Sequence, residues 1–419
     1  MAFRTSLSGL DAAATDLSVI GNNIANASTN GFKESRAEFA DVFTTSFSGV
    51  GSSTPGSGVR VASVSQQFGQ GNVEFTQSSL DLAINGEGFF ILSDGGTNAY
   101  TRAGAFSTDR DGFVTDSSGR QLQTFAANTN GTFNTGSLAS LQLSTNDSAP
   151  NPTSTVTPVL NLDATQTTPT VAPFSATNAN TFNHSTSTTV YDSIGNAYPA
   201  TMYYVATDPA NNDWTVHTTV NGQVLPLAGA NDFFTLGFNG DGSFQDIVDN
   251  GTTTTTGQIT FDPLTITGAG SNALTLSFDY SSTTQFGSDF AVNSLAQNGF
   301  ASGRLSGISV DDTGVISATF TNGQTSTLGQ VAMANFPNTK GLRQLGDTSW
   351  GETFAAGDRV VGSSGTSGFG GIQSGALEAS NVDIASQLVS LITAQRNFQA
   401  NAQAISTESE IQTAIINIR

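Results

Sequence analysis

The two ends of the chain carry apolar residues at helical spacing, and this pattern constrains the fold more than any other feature. Steps of three, four or seven residues place side chains on one face of an α-helix. A helix with such a face needs a partner to bury it. The sequence therefore predicts one helix at each end, with packing positions Phe3, Leu7, Leu10, Ala14, Leu17 and Ile24 in the first, and Leu388, Leu391, Phe398, Ala402 and Ile405 in the second.

The segment NNIANASTNGFK, residues 22–33, is predicted to end the first helix. Asn and Gly are poor helix formers, because Asn side chains compete for backbone hydrogen bonds and Gly loses more entropy. Asn30-Gly31 suits a turn that needs a positive φ angle. At the start of the second helix, Asn381 or Ser380 is predicted to be the cap, with Asp383 in the first turn.

Between the helices the sequence predicts β-structure. Short β-branched and aromatic runs such as GFFIL, TMYYV and GVISATF alternate with Asn-Gly and Asp-Gly pairs. Such pairs favour the tight turns of β-hairpins in sandwiches or barrels. The predicted turns are Asp111-Gly112, Asn130-Gly131, Asn221-Gly222, Asn239-Gly240, Asp241-Gly242, Asn250-Gly251 and Asn322-Gly323.

Composition divides this β region. The chain has 419 residues and a formal net charge of -20, yet no Lys or Arg lies between Arg120 and Arg304. Gly/Ser-rich stretches at 48–58 and 362–371 resemble linkers. We predict a mainly β fold with α-helical termini and nested, discontinuous domains. The boundaries are 1–28 with 380–419 for the helical polymerisation domain, 29–80 with 360–379 for a connecting region, 81–147 with 286–359 for an inner β domain, and 148–285 for an outer inserted β domain.

Several function classes are disfavoured by the same composition. The acidic surface repels nucleic acid, and no run of about eighteen apolar residues is present to insert into a membrane. Cysteine is absent, and His184 and His217 lie too far apart in sequence for a known metal motif. No phosphate-binding or dinucleotide-binding glycine motif is found. We therefore expect no catalytic residues, cofactor or metal.

The two ends carry a family resemblance. NNIANASTNGFK resembles the N-terminal signature of bacterial flagellar axial proteins, which include rod, hook and hook-associated proteins. The segment ALEASNVDIASQLVSLITAQRNFQANAQAISTESEIQTAIINIR resembles their C-terminal signature, and DLAINGEGFF and YTRAGAF resemble their first β domain. The signature residues at the N-terminal end are Asn22, Asn23, Ile24, Ala25, Asn26, Asn30, Gly31 and Phe32.

Among these proteins the hook subunits are the most similar, because rod subunits are shorter and lack a large inserted β domain. The resemblance implies export by the flagellar type III apparatus and assembly outside the cell into a short, curved, hollow tube. That tube acts as a universal joint between rod and filament. The implied partners are further copies of this chain, a distal rod protein, a hook-associated protein, a hook cap protein and the export apparatus.

Two alternatives remain open from the sequence. The terminal helices could pair only within one molecule, in a β-rich adhesin or binding module, or the chain could be a rod or hook-associated subunit. Arg396 is a further candidate packing residue, since an Arg on an otherwise uncharged helix surface needs a carboxylate or carbonyl partner.

Overall fold

Helices occupy the two ends of the chain in the computed structural model, which describes residues 2–42, 56–128, 130–143, 147–227, 232–266, 270–366 and 368–417. Helix α1 is Ala2–Ala25 and helix α2 is Ile384–Asn417. Between them the described residues form strands and short 3₁₀ turns at Ala179–Thr181, Thr339–Gly341 and Phe354–Ala356. The predicted fold class, mainly β with helical termini, is confirmed.

The strands fall into three successive groups along the chain. The first group is β1 (Ser35–Asp41), β2 (Val59–Gln66), β3 (Val73–Phe75), β4 (Leu82–Asn85), β5 (Phe89–Asp94), β6 (Thr97–Thr101), β7 (Ser107–Thr108), β8 (Val114–Thr115), β9 (Gln121–Ala127) and β10 (Phe133–Ser140). The second is β11 (Thr155–Asp163), β12 (His184–Tyr191), β13 (Ala197–Asp208), β14 (Asp213–Val220), β15 (Gln223–Val224), β16 (Phe233–Phe238), β17 (Phe244–Asp249), β18 (Thr252–Thr254), β19 (Gln258–Thr260), β20 (Ser277–Asp279), β21 (Thr284–Phe286) and β22 (Ala291–Gln297). The third is β23 (Leu305–Val310), β24 (Val315–Phe320), β25 (Thr325–Asn335), β26 (Arg343–Gly346), β27 (Ser349–Gly351), β28 (Val360–Ser363), β29 (Gly371–Ser374) and β30 (Ala376–Glu378).

The chain divides into two compact units. Unit 1 contains 1–145, 307–319 and 325–419, and unit 2 contains 146–306 and 320–324. In unit 1 the largest sheet has the strand order β23-β24-β25-β9-β5-β6-β27-β26. Smaller antiparallel pairs are β1 with β2, β4 with β29, and β3 with β30. The last two pairs join strands from the two ends of the chain.

The central strands of the unit 1 sheet are buried on both faces. Along β5, Phe90 and Leu92 enter one apolar cluster, while Phe89 and Ile91 enter another. Successive side chains of a strand point to opposite faces, so a strand covered on both sides reads as a continuous apolar run. The sequence FFIL therefore follows from its central place in the sheet.

Unit 2 encloses one apolar core between two sheets. One sheet has the order β12-β13-β14-β16-β17-β18, and the other has β19-β20-β11-β21 with β22 beside β11. Tyr204, Trp214 and Phe278 are among the large side chains in their shared core. The arrangement is a sandwich, in which inward-facing residues of both sheets interdigitate.

The predicted hairpin turns are confirmed. The Asn-Gly and Asp-Gly pairs fall between paired antiparallel strands in every case. Asn221 and Asn250 have φ angles of 51° and 47°, and each is followed by a glycine with positive φ. Positive φ at both central residues is the requirement of the type I′ hairpin turn.

The structure differs from the sequence-based boundaries in two places. Residues 286–306, assigned by sequence to the inner domain, lie in unit 2 because β22 pairs with β11. The Gly/Ser-rich stretch 362–371 begins in strand β28 and ends at the first residue of strand β29, and these strands and the following β30 pair with β25, β4 and β3. Within the other predicted linker, 48–58, residues 48–55 lie outside the described residues. The remaining domain boundaries stay a prediction.

Unit 2 contains both histidines of the chain, and we predict that they make its stability depend on pH. Burial lowers the pKa of His184, which stacks on Phe290, and the pKa of His217, which stacks on Phe174. A histidine whose pKa is lower in the folded state binds fewer protons there than when unfolded. Its contribution to stability is therefore present above the ordinary pKa of about 6.5 and is lost as the pH falls below it.

Urea midpoints at pH 7.5 and 5.5 test this prediction, with Trp350→Phe in every protein so that the emission of Trp214 reports unit 2 alone. The drop on acidification should be smaller in a variant carrying His184→Phe and His217→Phe, which keeps the ring stacking and removes the titration. An equal drop in both proteins would show that other groups cause it.

Candidate assembly site at the terminal helices

Helix α1 ends where the sequence changes to Asn and small residues. Its last helical residue is Ala25, and the Asn26 side chain donates a hydrogen bond to the Asn22 carbonyl at 2.9 Å. Gly31 follows with a φ angle of +69°, and a Cβ atom there would lie 2.4 Å from the Ala103 nitrogen. Only glycine fits both the left-handed backbone and this close approach. The predicted helix end and turn are confirmed.

The signature asparagines have different surroundings. Asn23 is buried, donates to the Ser35 carbonyl at 2.8 Å and accepts from the Ser35 amide at 2.9 Å. It thereby fixes strand β1 to helix α1. Of the other signature residues, Asn22, Ala25 and Asn30 are exposed, Ile24 and Asn26 are half-buried, and Gly31 and Phe32 are buried.

A buried ionic cluster lies directly after the signature turn. The Lys33 ammonium contacts one carboxylate oxygen of Glu378 at 2.5 Å, and the Arg102 guanidinium contacts the other at 3.3 Å. The side chains of Lys33 and Glu378 are 0% exposed. Lys33 also donates to the Gly69 carbonyl, and Arg102 lies over the ring of Phe89. Burial lowers the pKa of Lys33, while the Glu378 carboxylate opposes that effect.

This cluster ties three distant segments together. Lys33 follows α1, Glu378 precedes α2, and Arg102 belongs to the β-sheet region of unit 1. The backbone adds a further link, because the Gly31 amide donates to the Glu378 carbonyl at 2.7 Å. All three charged residues fall inside the signature segments, but sequence reasoning gave them no role, because nothing in these separate stretches indicates that the three side chains meet.

The start of α2 differs from the prediction in its capping residue. Asp383 is the cap, because its carboxylate accepts a hydrogen bond from the Ala385 amide at 2.9 Å. Asn381 instead accepts from the Glu34 amide at 2.7 Å and donates to the Gln67 carbonyl at 2.8 Å. Asn381 therefore links the segment before α2 to the segments that follow α1. The Ser380 hydroxyl accepts a hydrogen bond from the Val382 amide, which lies before the helix.

The two helices pack against each other in antiparallel order. The Asn401 side chain occupies the space where a Cβ on Gly9 would lie, and Asn23 donates to Gln387 at 3.3 Å. We call this contact, defined by Gly9, Asn23, Gln387 and Asn401, the helix seam. Ala394 is buried between these positions on α2. Small residues let the helix backbones approach closely, so the seam differs from the large apolar face that the sequence predicted.

The residues predicted for subunit packing are not buried within the chain. Leu391, Phe398 and Ile405 lie on the seam side of α2 and are half-buried. The exposed ones are Phe3, Leu7, Ala14, Leu388 and Arg396, and the other half-buried ones are Leu10, Leu17, Ile24 and Ala402. The structure thus brings part of the predicted set to the seam and leaves the rest at the surface. Their role in subunit packing stays a prediction.

Further apolar side chains of α2 are exposed. Val389 is 66% exposed and Ile392 is 50% exposed, and Ile411, Ile415 and Ile416 near the chain end are also exposed. Single exposed apolar residues are ordinary, but a contiguous set marks an interaction surface. Sequence reasoning missed Val389 and Ile392 because they fall outside the heptad positions.

Other kinds of site are not seen in the described part of the chain. There, no group of three or more His, Cys, Asp or Glu side chains could hold a metal ion. Neither of the described helices is long and apolar enough to cross a membrane. The terminal helices therefore carry the best-defined candidate site.

Comparisons with known proteins cover the whole chain and agree with a candidate site at its terminal helices. Family models match in succession: Flagella basal body rod protein at 3–33, Flagellar hook protein FlgE/F/G D1 domain at 83–156, Flagellar basal body protein FlaE D2 domain at 161–300, and Flagellar basal body rod FlgEFG protein C-terminal at 373–418. The Flagellar hook protein FlgE of Escherichia coli (strain K12) is 39% identical over 431 residues, with 100% of both sequences covered. The chain belongs to the flagellar hook protein family.

The hook family relationship extends to distant organisms. The Flagellar hook protein FlgE of Borreliella burgdorferi is 33% identical, with 99% of this chain and 98% of that protein covered. The crystal structure of Helicobacter pylori flagellar hook protein FlgE2 matches with a TM-score of 0.51 and 15% identity, over 73% of this chain and 100% of that one. This last similarity shows a shared fold. The predicted family and its place in the hook of the bacterial flagellum, as a structural protein, are confirmed.

We predict that Glu378→Gln destabilises unit 1 by about 3–5 kcal/mol, because it leaves Lys33 and Arg102 buried without their carboxylate. Urea unfolding measures the loss, with Trp214→Phe in both proteins so that only Trp350 of unit 1 reports. The control is Arg110→Gln, which breaks an ion pair whose Arg side chain is 92% exposed and should leave stability unchanged. A loss below about 1 kcal/mol for Glu378→Gln would mean that the cluster contributes little.

Neighbouring asparagines of the signature should respond differently to substitution. Asn23→Ala removes the buried side chain that bonds both the amide and the carbonyl of the half-buried Ser35, at a cost of about 1–3 kcal/mol. Asn22→Ala alters an exposed side chain one residue away and should cost much less. Thermal unfolding of the two variants gives the comparison. Equal shifts in the midpoint would contradict a special role for Asn23.

Proposed function

We propose that this chain is a structural subunit that polymerises through α1 and α2 into a curved, hollow tube. The tube serves as a universal joint that transmits motor torque from rod to filament and leaves a channel for export. One observation carries the proposal: within the described residues, both helices of a hook-family chain expose apolar side chains that nothing in the chain covers. Phe3 and Leu7 on α1, and Val389 and Ile392 on α2, are the clearest of these.

The energetics favour strong contacts between the helices of neighbouring copies. Burying one Val, Leu, Ile or Phe side chain contributes about 1.5–3 kcal/mol. Several such residues are buried in each copy along a polymer. Together they contribute more free energy than is lost in ordering the helices, whereas a single helix pair does not. The buried Lys33–Glu378–Arg102 cluster supports this role, because it anchors both helices to the sheet region of unit 1.

Unit 2 favours weak contacts between copies. The interval 121–303 carries twelve Asp and no Lys or Arg. Like charges on neighbouring copies repel, and exposed polar contacts contribute little free energy. Contacts of this kind break and re-form readily, as a bent rotating tube requires. The composition therefore supports cohesive contacts between the terminal helices of neighbouring copies and compliant contacts between copies of unit 2.

The partners that follow from this role are further copies of this chain, a distal rod protein, a hook-associated protein, a hook cap protein and the flagellar type III export apparatus. The helical ends support the first of these directly. The proposed role is structural, with no enzymatic activity and no cofactor. Location outside the cell after export completes the proposal.

Val389→Glu should block polymer formation and leave the monomer folded. The side chain is exposed, so a carboxylate is tolerated in the monomer but not in an apolar contact between copies. Sedimentation and electron microscopy under salting-out conditions measure assembly, and circular dichroism checks the monomer. Ile194→Glu is the matched control, since Ile194 is 55% exposed but belongs to unit 2.

The form of the wild-type polymer decides between related roles. Curved tubes support a hook subunit, and straight tubes support a rod-like one. Wild-type protein that stays monomeric, with Val389→Glu indistinguishable from it, would contradict the proposal and favour a binding module with internally paired helices.

A further inference from the structure

Each terminal helix has an outer face that lies opposite the helix seam. At 3.6 residues per turn, Leu7, Asp11, Ala14 and Ser18 lie on the side of α1 away from Gly9 and Asn23. All four are exposed. We call them the outer face of α1. They lie in one row, so a partner helix can contact them together.

The outer face of α2 is defined in the same way. Val389, Ile392, Arg396 and Ala400 lie opposite the seam residues of α2, and all four are exposed. Arg396 is the only basic residue of α2, so this face carries the single positive charge of the helix.

The two outer faces carry complementary charges. Within the four residues that define each outer face, Asp11 is the only charged residue on α1 and Arg396 is the only one on α2, while the exposed Arg4 continues the α1 row beyond Leu7. Among the described residues, neither the Asp11 carboxylate nor the Arg396 guanidinium forms an ion pair or a hydrogen bond. Because the faces point away from each other within the chain, these charges can meet only between copies.

Symmetry determines how the faces would meet. In a helical polymer with head-to-tail contacts, every copy has the same orientation along the axis. Helices α1 and α2 are antiparallel within one copy, so α1 of one copy and α2 of a neighbour are antiparallel as well. The direction of the contact is therefore set by the fold of the single chain.

The charges then select one register. Placing Arg396 opposite Asp11 in antiparallel order brings Ala400 to Leu7, Ile392 to Ala14 and Val389 to Ser18. Each of these contacts joins a large side chain to a small one, which is how helix surfaces interdigitate. A shift by one turn instead places Arg396 against Leu7 or Ala14, and the ion pair is lost.

We infer that the outer face of α1 packs on the outer face of α2 of a neighbouring copy, with an Asp11–Arg396 ion pair that sets the register of the polymer. The inference deepens the proposed function and rests on it, since it needs a homopolymer. It specifies which surfaces join and which residues align them. A charged pair at such a contact contributes to register and specificity, because misaligned copies leave a charge against apolar groups.

Charge reversal tests the ion pair on the full chain. Asp11→Arg and Arg396→Asp each place like charges at every contact, and each should raise the critical concentration for assembly by about tenfold or more. The two variants mixed in equal amounts should regain assembly, because each then meets its complement on the other. An ion pair within one chain would not be restored by mixing.

The matched control reverses a different exposed acid of the helix pair. Glu410 lies on α2 but has no residue of α1 opposite it in this register, so Glu410→Arg should assemble like the wild type. Circular dichroism of each monomer shows whether the variants remain folded.

A second measurement uses the absence of cysteine in the chain. A Ser18→Cys, Val389→Cys variant should form a ladder of covalent oligomers after assembly and mild oxidation. A disulfide requires Cα atoms within about 7 Å, a distance that opposite outer faces of one chain exceed. The off-register control is Ser18→Cys with Gln403→Cys, which displaces one cysteine along the helix by about 21 Å.

The results distinguish failure of this inference from failure of the proposed function on which it rests. Wild-type protein that does not polymerise would contradict the proposed function. Polymerisation of wild type together with unaffected single variants, or equal cross-linking of both cysteine pairs, would overturn the register while the hook role stands.

Discussion

The arrangement of unit 1 depends on the buried contact between Lys33, Glu378 and Arg102. These residues come from the end of the N-terminal helix region, the start of the C-terminal one and the sheet between them. Two cations share one carboxylate out of contact with water, so removing any partner leaves a charge that burial strongly disfavours. The contact makes the two chain ends one structural element and holds both helices in a defined direction.

Anchoring at one end explains why the helices can expose apolar residues without losing their position. The helix seam is built from Gly, Ala, Asn and Gln, and its contacts hold α1 against α2 while most large apolar groups stay outside. Those groups are then available to other copies. Unit 2 is rich in Asp and has Arg304 as its single Lys or Arg residue, so the unit 2 surfaces of neighbouring copies repel each other.

Local patterns predicted much of the fold because their causes are local. The Asn-Gly and Asp-Gly hairpins, the end of α1 and the glycine turn at Gly31 all depend on backbone preferences within a few residues. The same reasoning failed where pairing is distant. Residues 362–371 look like a flexible linker, yet the two ends of the stretch lie in strands β28 and β29, which pair with β25 and β4. Asn381 resembles a helix cap, but it bonds Glu34 and Gln67 instead.

The sequence by itself determined the helical ends, the β interior, the hairpin positions and the family. Helical spacing, turn chemistry and signature segments are each visible in a short stretch of residues. Only the tertiary structure decided which helix faces meet within the chain, that Glu378 joins Lys33 to Arg102, and that Asp11 and Arg396 point outward. These contacts depend on residues that lie hundreds of positions apart in the sequence. The free energy of burial that brings such residues together leaves no pattern in any short stretch of the chain.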